Sequence, residues 1–266
     1  MIRDITLGQF YNTNSIIHNL DSRVKLFGTM IFLVSLFVST NVYAYIVAFI
    51  FVAFIIKLSN VPLNFVIRSI KALLPLVFMS MFFNLIFTPG EKVLSLYFIN
   101  ITKEGIELTI KMSLRLVFLV AGSSILTLTT TPSKLTDGIE KSLRFLKIFK
   151  IPISEIALMM SIALRFIPIL IEEVGKIIDA QTARGADFET GGIVKKAKAY
   201  IPLLVPLFIS AFRRADELAL AMEARCYTSS DGRTKYNPLK YKKIDYISYI
   251  FIFLYLFVII ITKFIR

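Results

Sequence analysis

The sequence predicts an all-α membrane protein, with about five transmembrane helices plus a cytoplasmic domain of long, Pro-kinked amphipathic helices. Three observations carry this prediction. Of the 266 residues, 56% are hydrophobic, against roughly 45–50% in a soluble domain. Five apolar runs with few or no charges have lengths near the ~17–25 residues that cross a bilayer. A further stretch, 131–245, holds 19 of the 31 Lys and Arg residues. It is too long for a loop and lacks the composition of an ordinary soluble domain.

The five runs are 26–42, 43–56, 72–88, 114–130 and 246–262. The second is short and ends at Lys57, whose stem can snorkel to the interface. The fourth carries Arg115 at its edge, read as snorkelling outward. Inside it, Gly122, Ser123 and Ser124 form a small-residue patch suited to close helix packing. The first 23 residues are polar and mixed, so the first span is expected to act as an uncleaved anchor. The gap 57–71 carries Lys57, Arg68 and Lys71 with no acid, whereas 89–113 mixes both signs. The positive-inside rule then puts the N-terminus in the cytoplasm, 57–71 inside, 89–113 outside, 131–245 inside and the C-terminus outside. In the outer loop LSLYFINI reads as a short extended segment. The expected organisation is 1–130 with four transmembrane helices, 131–243 as the cytoplasmic helical domain, and 244–266 as a last transmembrane helix.

The net charge of +13 follows from those cytoplasmic cations and calls for no nucleic acid. Cys226 is the single cysteine and His18 the single histidine. Internal disulfides, cysteine metal clusters and His-rich metal sites are therefore excluded. There is no G-x-x-x-x-G-K-[ST] phosphate loop, and no Ser has a base beside it in sequence. Glu172 and Glu173 read as a solvated or salt-bridging face. No catalytic residue and no cofactor of the chain's own is expected.

The segment 131–245 holds three helical patterns. In the first, Thr131 or Ser133 caps a helix starting near Pro132 to Leu135. Leu135, Ile139, Leu143 and Leu146 share a face, with Lys141, Arg144 and Lys147 beside it, and Pro152 ends it. In the second, Ser154 is the expected N-cap of a helix of about 30 residues, or about 45 Å, kinked at Pro168. Its first half is apolar. In its second half Leu170, Val174, Ile177 and Ile178 share one face, and Glu172, Glu173, Lys176 and Asp179 fall off it. Gly185 is the left-handed residue that stops it. After the turn DFETGG the third run repeats the plan: an apolar middle with Pro202 and Pro206, an amphipathic end with Arg213, Arg214, Asp216 and Glu217, and a stop at Arg225. Residues 229–240 are turn-rich.

Two long helices thus end in AQTARGAD and AMEARCYT, each with Ala then Arg then a small residue. Cations at a helix C-terminus interact favourably with its dipole, by about 0.3–1 kcal/mol. Two such tips on one design also suit docking into two similar pockets, since the planar arginine fork can bind a carboxylate bidentately. Two pockets imply two partner subunits, and a membrane protein receiving two soluble subunits points to an ATP-driven transporter.

The stretches HNLDSRVKL at 18–26, LRFIP at 164–168, QTARGAD at 181–187 and PLLVPLFISAFRRADELALAMEARCY at 202–227 resemble the transmembrane T component (EcfT) of energy-coupling factor transporters. The likeness covers essentially the whole chain. It implies a prokaryotic cell-membrane subunit that couples two ABC ATPase subunits, of the EcfA and EcfA′ type, to a small substrate-binding S component in vitamin uptake. ATP and Mg²⁺ would be bound by the ATPases. The resemblance makes 131–243 a coupling domain whose ATPase-docking signatures are Ala183-Arg184-Gly185 and Ala224-Arg225-Cys226. The second carries Cys where the family pattern has Gly, and a Cys at positive φ is strained. Either the helix ends differently there or the turn does not need Gly; Cys226 reads as a small residue tolerated at an interface.

The apolar parts of these helices, with Met159, Met160, Phe166, Pro168, Pro202, Pro206, Phe208 and Phe212, are the expected S-component surface; Met suits adaptable packing. Lipid or core contact is the plainer reading of the same residues. Within the family, the alternative is the T component of a dedicated cobalt or nickel importer. Outside it stands a self-contained secondary transporter, disfavoured because the spans hold little beyond Ser, Thr, Tyr and Asn84. A membrane-bound enzyme lacks a polar catalytic cluster.

Overall fold

The computed structural model describes residues 10–39, 41–96, 99–186, 188, 192–228 and 238–264. Arg3, Asp4, most of the turn 187–192 and the turn-rich 229–237 lie outside them. The described residues are overwhelmingly helical, as the sequence predicts. They form two compact units: residues up to 142 with those from 239 onward, and residues 143–238.

The first unit is a helical bundle. A single turn, α1 (Ile16–Asn19), precedes α2 (Ser22–Val38) and α3 (Val42–Ser59). The next element, α4 (Leu63–Phe87), starts well before the apolar run 72–88 and absorbs Arg68, Lys71 and Pro75. The stretch 57–71 is therefore not a loop. The true break is Asn60–Pro62, where Asn60 takes a left-handed conformation at φ 53 and ends α3. Likewise α5 (Lys103–Thr129) begins eleven residues before the run 114–130, with Thr102 as N-cap receiving the Gly105 amide at 3.1 Å. The connection between α4 and α5 contracts accordingly. Its extended segment is real: β1 (Lys92–Leu96) and β2 (Ile99–Thr102) pair antiparallel. Next come α6 (Pro132–Ser142) and, at the far end of the chain, α9 (Lys243–Phe264). Thr131 caps α6, as expected, receiving the Lys134 amide at 3.4 Å.

Among the described residues five helices are long and apolar enough to cross a membrane: α3, α4, α5, α9 and, in the second unit, α7 (Ile153–Ala183). The number matches the sequence prediction but the membership does not. In the run 26–42 the helix ends at Val38 with Ser39 as its C-cap, so α2 has 17 residues, at the lower limit for a span, while the apolar first half of α7 qualifies.

The bundle core joins α2, α3, α5 and α9 around Phe32, Leu36, Tyr45, Phe118, Leu128 and Tyr255. The Tyr255 ring stacks on Phe51 at 4.2 Å, and its hydroxyl meets Ser35 Oγ at 2.8 Å. Gly122 is where α5 meets α2, since a Cβ there would lie 2.5 Å from the Phe32 ring. Ser124 is buried beside it, but Ser123 turns outward and bonds the Leu119 carbonyl. The small-residue patch is thus a packing site through two of its three members.

Helix ends are closed by side chains from other helices. Arg115 does not snorkel outward. Its Nε donates to the Leu36 carbonyl at 3.1 Å and its Nη2 to the Ser39 carbonyl at 3.4 Å. These are the open carbonyls at the C-terminus of α2, where a cation is worth about 0.3–1 kcal/mol, or ~2 when partly buried. Lys25 does the same for α5 and α1: its buried Nζ donates to Thr129 at 2.9 Å and to His18 at 3.3 Å. Asp21 caps α2 through the Arg23 amide and holds the Arg23 guanidinium at 2.8 Å, which also lies over the Tyr241 ring. Asp245, 1% exposed, accepts the Asp21 amide at 2.9 Å and the Lys242 amide at 2.6 Å. The stretch HNLDSRVKL is therefore an interlock that ties α1 and α2 to α5 and α9.

The second unit contains a 3-10 helix (Arg144–Phe149), α7 and α8 (Ile193–Ala224). The helix expected to run from 135 to Pro152 instead ends at Ser142, and Lys150 closes the 3-10 turn at φ 60. Ser154 is not an N-cap. Pro152 takes that place, its carbonyl receiving the Glu155 and Ile156 amides at 3.1 Å. By packing on α2, α6 belongs to the bundle.

Two outcomes test this account. Asp245→Ala strands the buried Asp21 amide and a part-buried one at Lys242, so detergent-solubilised protein should lose about 2 kcal/mol of stability in thermal or denaturant unfolding. Tyr246→Ala, exposed next door, should lose almost none. His18 is kept below the ordinary value of 6.5 by burial, with the Lys25 and Lys134 charges adding to it and the Tyr11 carbonyl bond opposing. A lowered pKa means the unfolded chain binds the proton first. The contribution is thus complete above pH 6.5 and lost as pH falls through the folded value. Protection factors of amides in residues 10–20, with the intrinsic pH dependence of exchange divided out, should fall on that side and not on raising pH.

Candidate functional site

The two helix tips are built alike, bond for bond. α7 has 31 residues and α8 has 32, each about 45 Å long at 1.5 Å per residue. Both continue through their prolines, Pro168 in α7 and Pro202 and Pro206 in α8. At the first tip Arg184 is the C-cap (φ −85, ψ 5). The Gly185 amide donates to Thr182 at 2.9 Å and the Ala186 amide to Gln181 at 3.0 Å. At the second Arg225 is the C-cap (φ −93, ψ 17). The Cys226 amide donates to Glu223 at 2.8 Å and the Tyr227 amide to Met222 at 3.0 Å. Each is a Schellman turn, with the 6→1 and 5→2 bonds that close a helix C-terminus.

The substitution of Cys for Gly therefore changes the residue and not the turn. Gly185 sits at φ 89 and Cys226 at φ 56. The second value falls inside the small left-handed well near +50 to +70° that side-chain-bearing residues can reach; the first lies beyond it. Cys226 thus meets the geometry with about 1–2 kcal/mol of strain. Of the two possibilities open in sequence, that the helix ends differently or that the turn tolerates Cys, the structure shows the second.

Arg184 and Arg225 are exposed, as are Ala183, Ala224, Gly185 and Cys226. Neither guanidinium bonds to any described residue. Their backbones are fixed and their charges are available, the arrangement that presents a cation to something outside the chain.

Behind the tips α7 and α8 cross through polar and apolar contacts. Glu173 accepts from Ser210 Oγ, and its Oε2 takes Arg214 Nη2 at 3.0 Å and Nε at 3.3 Å. Of the acidic pair, Glu173 is thus the salt-bridging member and Glu172 the solvated one. Beside this crossing a groove of about 330 Å³ is lined by Phe166, Leu170, Ala211, Ala215 and Met222 among others. Phe166 alone of the expected S-component residues sits there, half-buried. Met159, Met160, Pro168, Pro202, Pro206, Phe208 and Phe212 are exposed. On α8, Ile201, Leu204, Val205, Phe208, Ile209 and Phe212 make an uncovered stripe, while Leu203 turns inward at 6% exposure. Only 6% of the apolar window of α7, and of α4, is buried within the chain, against 39% for α5. Faces this bare need lipid or a partner.

Sequence reading foresaw a salt-bridging face at Glu173 but not its partner Arg214, and it missed the Asp21–Asp245 link. The first had a signal in an acid and a base on the polar edges of two similar helices. The second joins residues 224 apart in sequence and had none.

A bundle of apolar helices with two long cation-tipped helices is the architecture of a transporter's membrane component. The comparisons agree. The model of the cobalt transport protein family (CbiQ) matches residues 13–236. An energy-coupling factor transporter transmembrane protein EcfT of Ruminiclostridium cellulolyticum is 48% identical over 245 residues, 92% of this chain and 92% of its own length. Those of Acidaminococcus fermentans and Bacillus subtilis are 49% and 42% identical, over 92% and 90% of this chain and 91% of their own lengths in both cases. The chain belongs to the EcfT family, the transmembrane proteins of energy-coupling factor transporters, and is a multi-pass membrane protein.

Cys226→Gly should raise unfolding stability by roughly 1 kcal/mol, because relief of left-handed strain exceeds the added chain entropy. Gly185→Ala, with nothing within 4 Å of the added methyl, should lower it by a similar amount. Paired melts of the two variants check the sign.

Proposed function

We propose that this protein is the coupling subunit of an energy-coupling factor importer, joining two ATPase subunits to a membrane S component that carries a vitamin. The observation that bears most weight is the pair of identical Schellman tips, each holding an exposed arginine on a fixed backbone. Two equal tips suit two similar ATPase grooves, in which Arg184 and Arg225 would pair with carboxylates. The Glu173–Arg214 bridge would let α7 and α8 move as stiff levers when the ATPases close on ATP and reopen after hydrolysis. The exposed face with Met159, Met160, Phe208 and Phe212 would receive the S component, and thioether side chains adapt to more than one partner. ATP and Mg²⁺ belong to the ATPases in this scheme and the chain itself catalyses nothing. The N-terminus and the tips would face the cytoplasm and the C-terminus the outside, an orientation supported by the 19 Lys and Arg of residues 131–245. A second reading, the membrane component of a dedicated cobalt or nickel importer, is favoured by the description of the matching family, cobalt transport protein.

The test is affinity purification from native membranes in mild detergent, with mass spectrometry of what accompanies the chain. The wild type should bring two ATP-binding subunits and at least one small apolar protein. Arg184→Ala with Arg225→Ala should lose the ATPases while keeping the small partner. Retention of both ATPases by the double variant would show the tips to be helix caps only. A small partner that binds cobalt or nickel would select the cobalt or nickel reading.

A further inference from the structure

The 3-10 helix Arg144–Phe149 has no part in the function proposed above. Side chains three residues apart eclipse one another in a 3-10 helix, which sorts RFLKIF into rows. Arg144 and Lys147 share one row, and Lys150, the left-handed C-cap, follows them. Phe145 with Ile148 makes the second row, and Leu146 with Phe149 the third. One row is cationic and two are apolar.

The apolar rows are not covered by the chain. Phe145 is 59% exposed, Phe149 71% and Ile148 82%, the last being the highest value for any large apolar side chain among the described residues. Lipid explains such exposure on a spanning helix, but six residues are far too short to span. The charge is one-sided too. Between Glu140 and Glu155 the sequence has Lys141, Arg144, Lys147 and Lys150 and no acid. The segment also starts fifteen residues after Thr129, the last residue of α5. That lies within the ~15–20 residues of a span where Lys and Arg gather at a membrane surface.

We propose that Arg144–Lys150 is an anchor lying in the headgroup layer of an anionic bilayer. Phe145, Ile148 and Phe149 enter the boundary between headgroups and acyl chains, and Arg144, Lys147 and Lys150 meet lipid phosphates. Interfacial elements combine these two faces, and juxtamembrane cations are drawn to anionic lipid. A protein occupant would have to supply both a large apolar pocket and several carboxylates, whereas the anionic membrane that the chain spans supplies both faces at once. The inference needs only that the chain is a membrane protein and stands apart from its partners.

The chain contains no tryptophan, so Phe149→Trp in the full-length protein introduces a single indole, and Phe145→Trp probes the adjacent row independently. Each is placed in nanodiscs of phosphatidylcholine alone or with phosphatidylglycerol. Emission is then read with a headgroup-proximal spin-labelled lipid or with aqueous acrylamide. The expected result is blue-shifted emission, quenched by the labelled lipid and shielded from acrylamide, with phosphatidylglycerol. The shift and lipid quenching should weaken in phosphatidylcholine and in the background of Arg144→Gln, Lys147→Gln and Lys150→Gln. Emission of a water-exposed indole in both lipids would overturn the proposal. So would a shielded indole that no labelled lipid quenches, which would mean protein covers the site. Lipid quenching indifferent to both headgroup charge and the triple substitution would overturn its anionic character.

Discussion

Every helix ends in unsatisfied carbonyls, and an apolar surrounding offers no water to bond them. The structure answers this requirement in two ways. At three ends inside the bundle a cation from a neighbouring helix closes the helix: Arg115 for α2, and Lys25 for α5 and α1, while α3 ends on the left-handed Asn60. On α7 and α8 the chain closes the end itself with a left-handed turn. The difference matters for function. A helix end sealed by another helix is locked into the fold, whereas one sealed by its own backbone leaves its arginine available to something else.

The bundle is correspondingly tied together across long sequence distances. Asp245 reaches the Asp21 amide, Asn41 reaches the Thr262 carbonyl, and Ser35 reaches Tyr255. Each places a polar group where only a partner of the right kind avoids a desolvation cost of about 1–3 kcal/mol. The paired helices show the opposite economy. They hold one another through Glu173, Ser210 and Arg214 and leave most apolar side chains uncovered. The first unit thus satisfies its polar groups internally, whereas the second leaves its long helices lightly covered.

The signature at the second tip shows how a backbone requirement can outlast the residue that usually meets it. The Schellman turn asks for a left-handed residue, and φ 56 at Cys226 lies within reach of one bearing a side chain. At Gly185, where φ is 89, the same exchange would not be tolerated so readily. The two turns are equal in their hydrogen bonds and unequal in φ at the left-handed residue.

Composition and hydrophobic run length determined the class of fold and the existence of the long helices, and cap chemistry determined the left-handed stop at Gly185. These follow from local chemistry, so they are readable one window at a time. Helix starts were placed too late at α4 and α5, because hydropathy sees the apolar part of a helix and not the charged turns that precede it. What only the tertiary structure decided is where distant polar groups meet. Arg115 reads as a snorkelling side chain until the end of α2 is beside it, and Asp245 is an unremarked acid until Asp21 is. The identity of the two tips also needed three dimensions. The residues Gly185 and Cys226 differ, and only the backbone, by directing the same carbonyls to the same amides, makes them one motif.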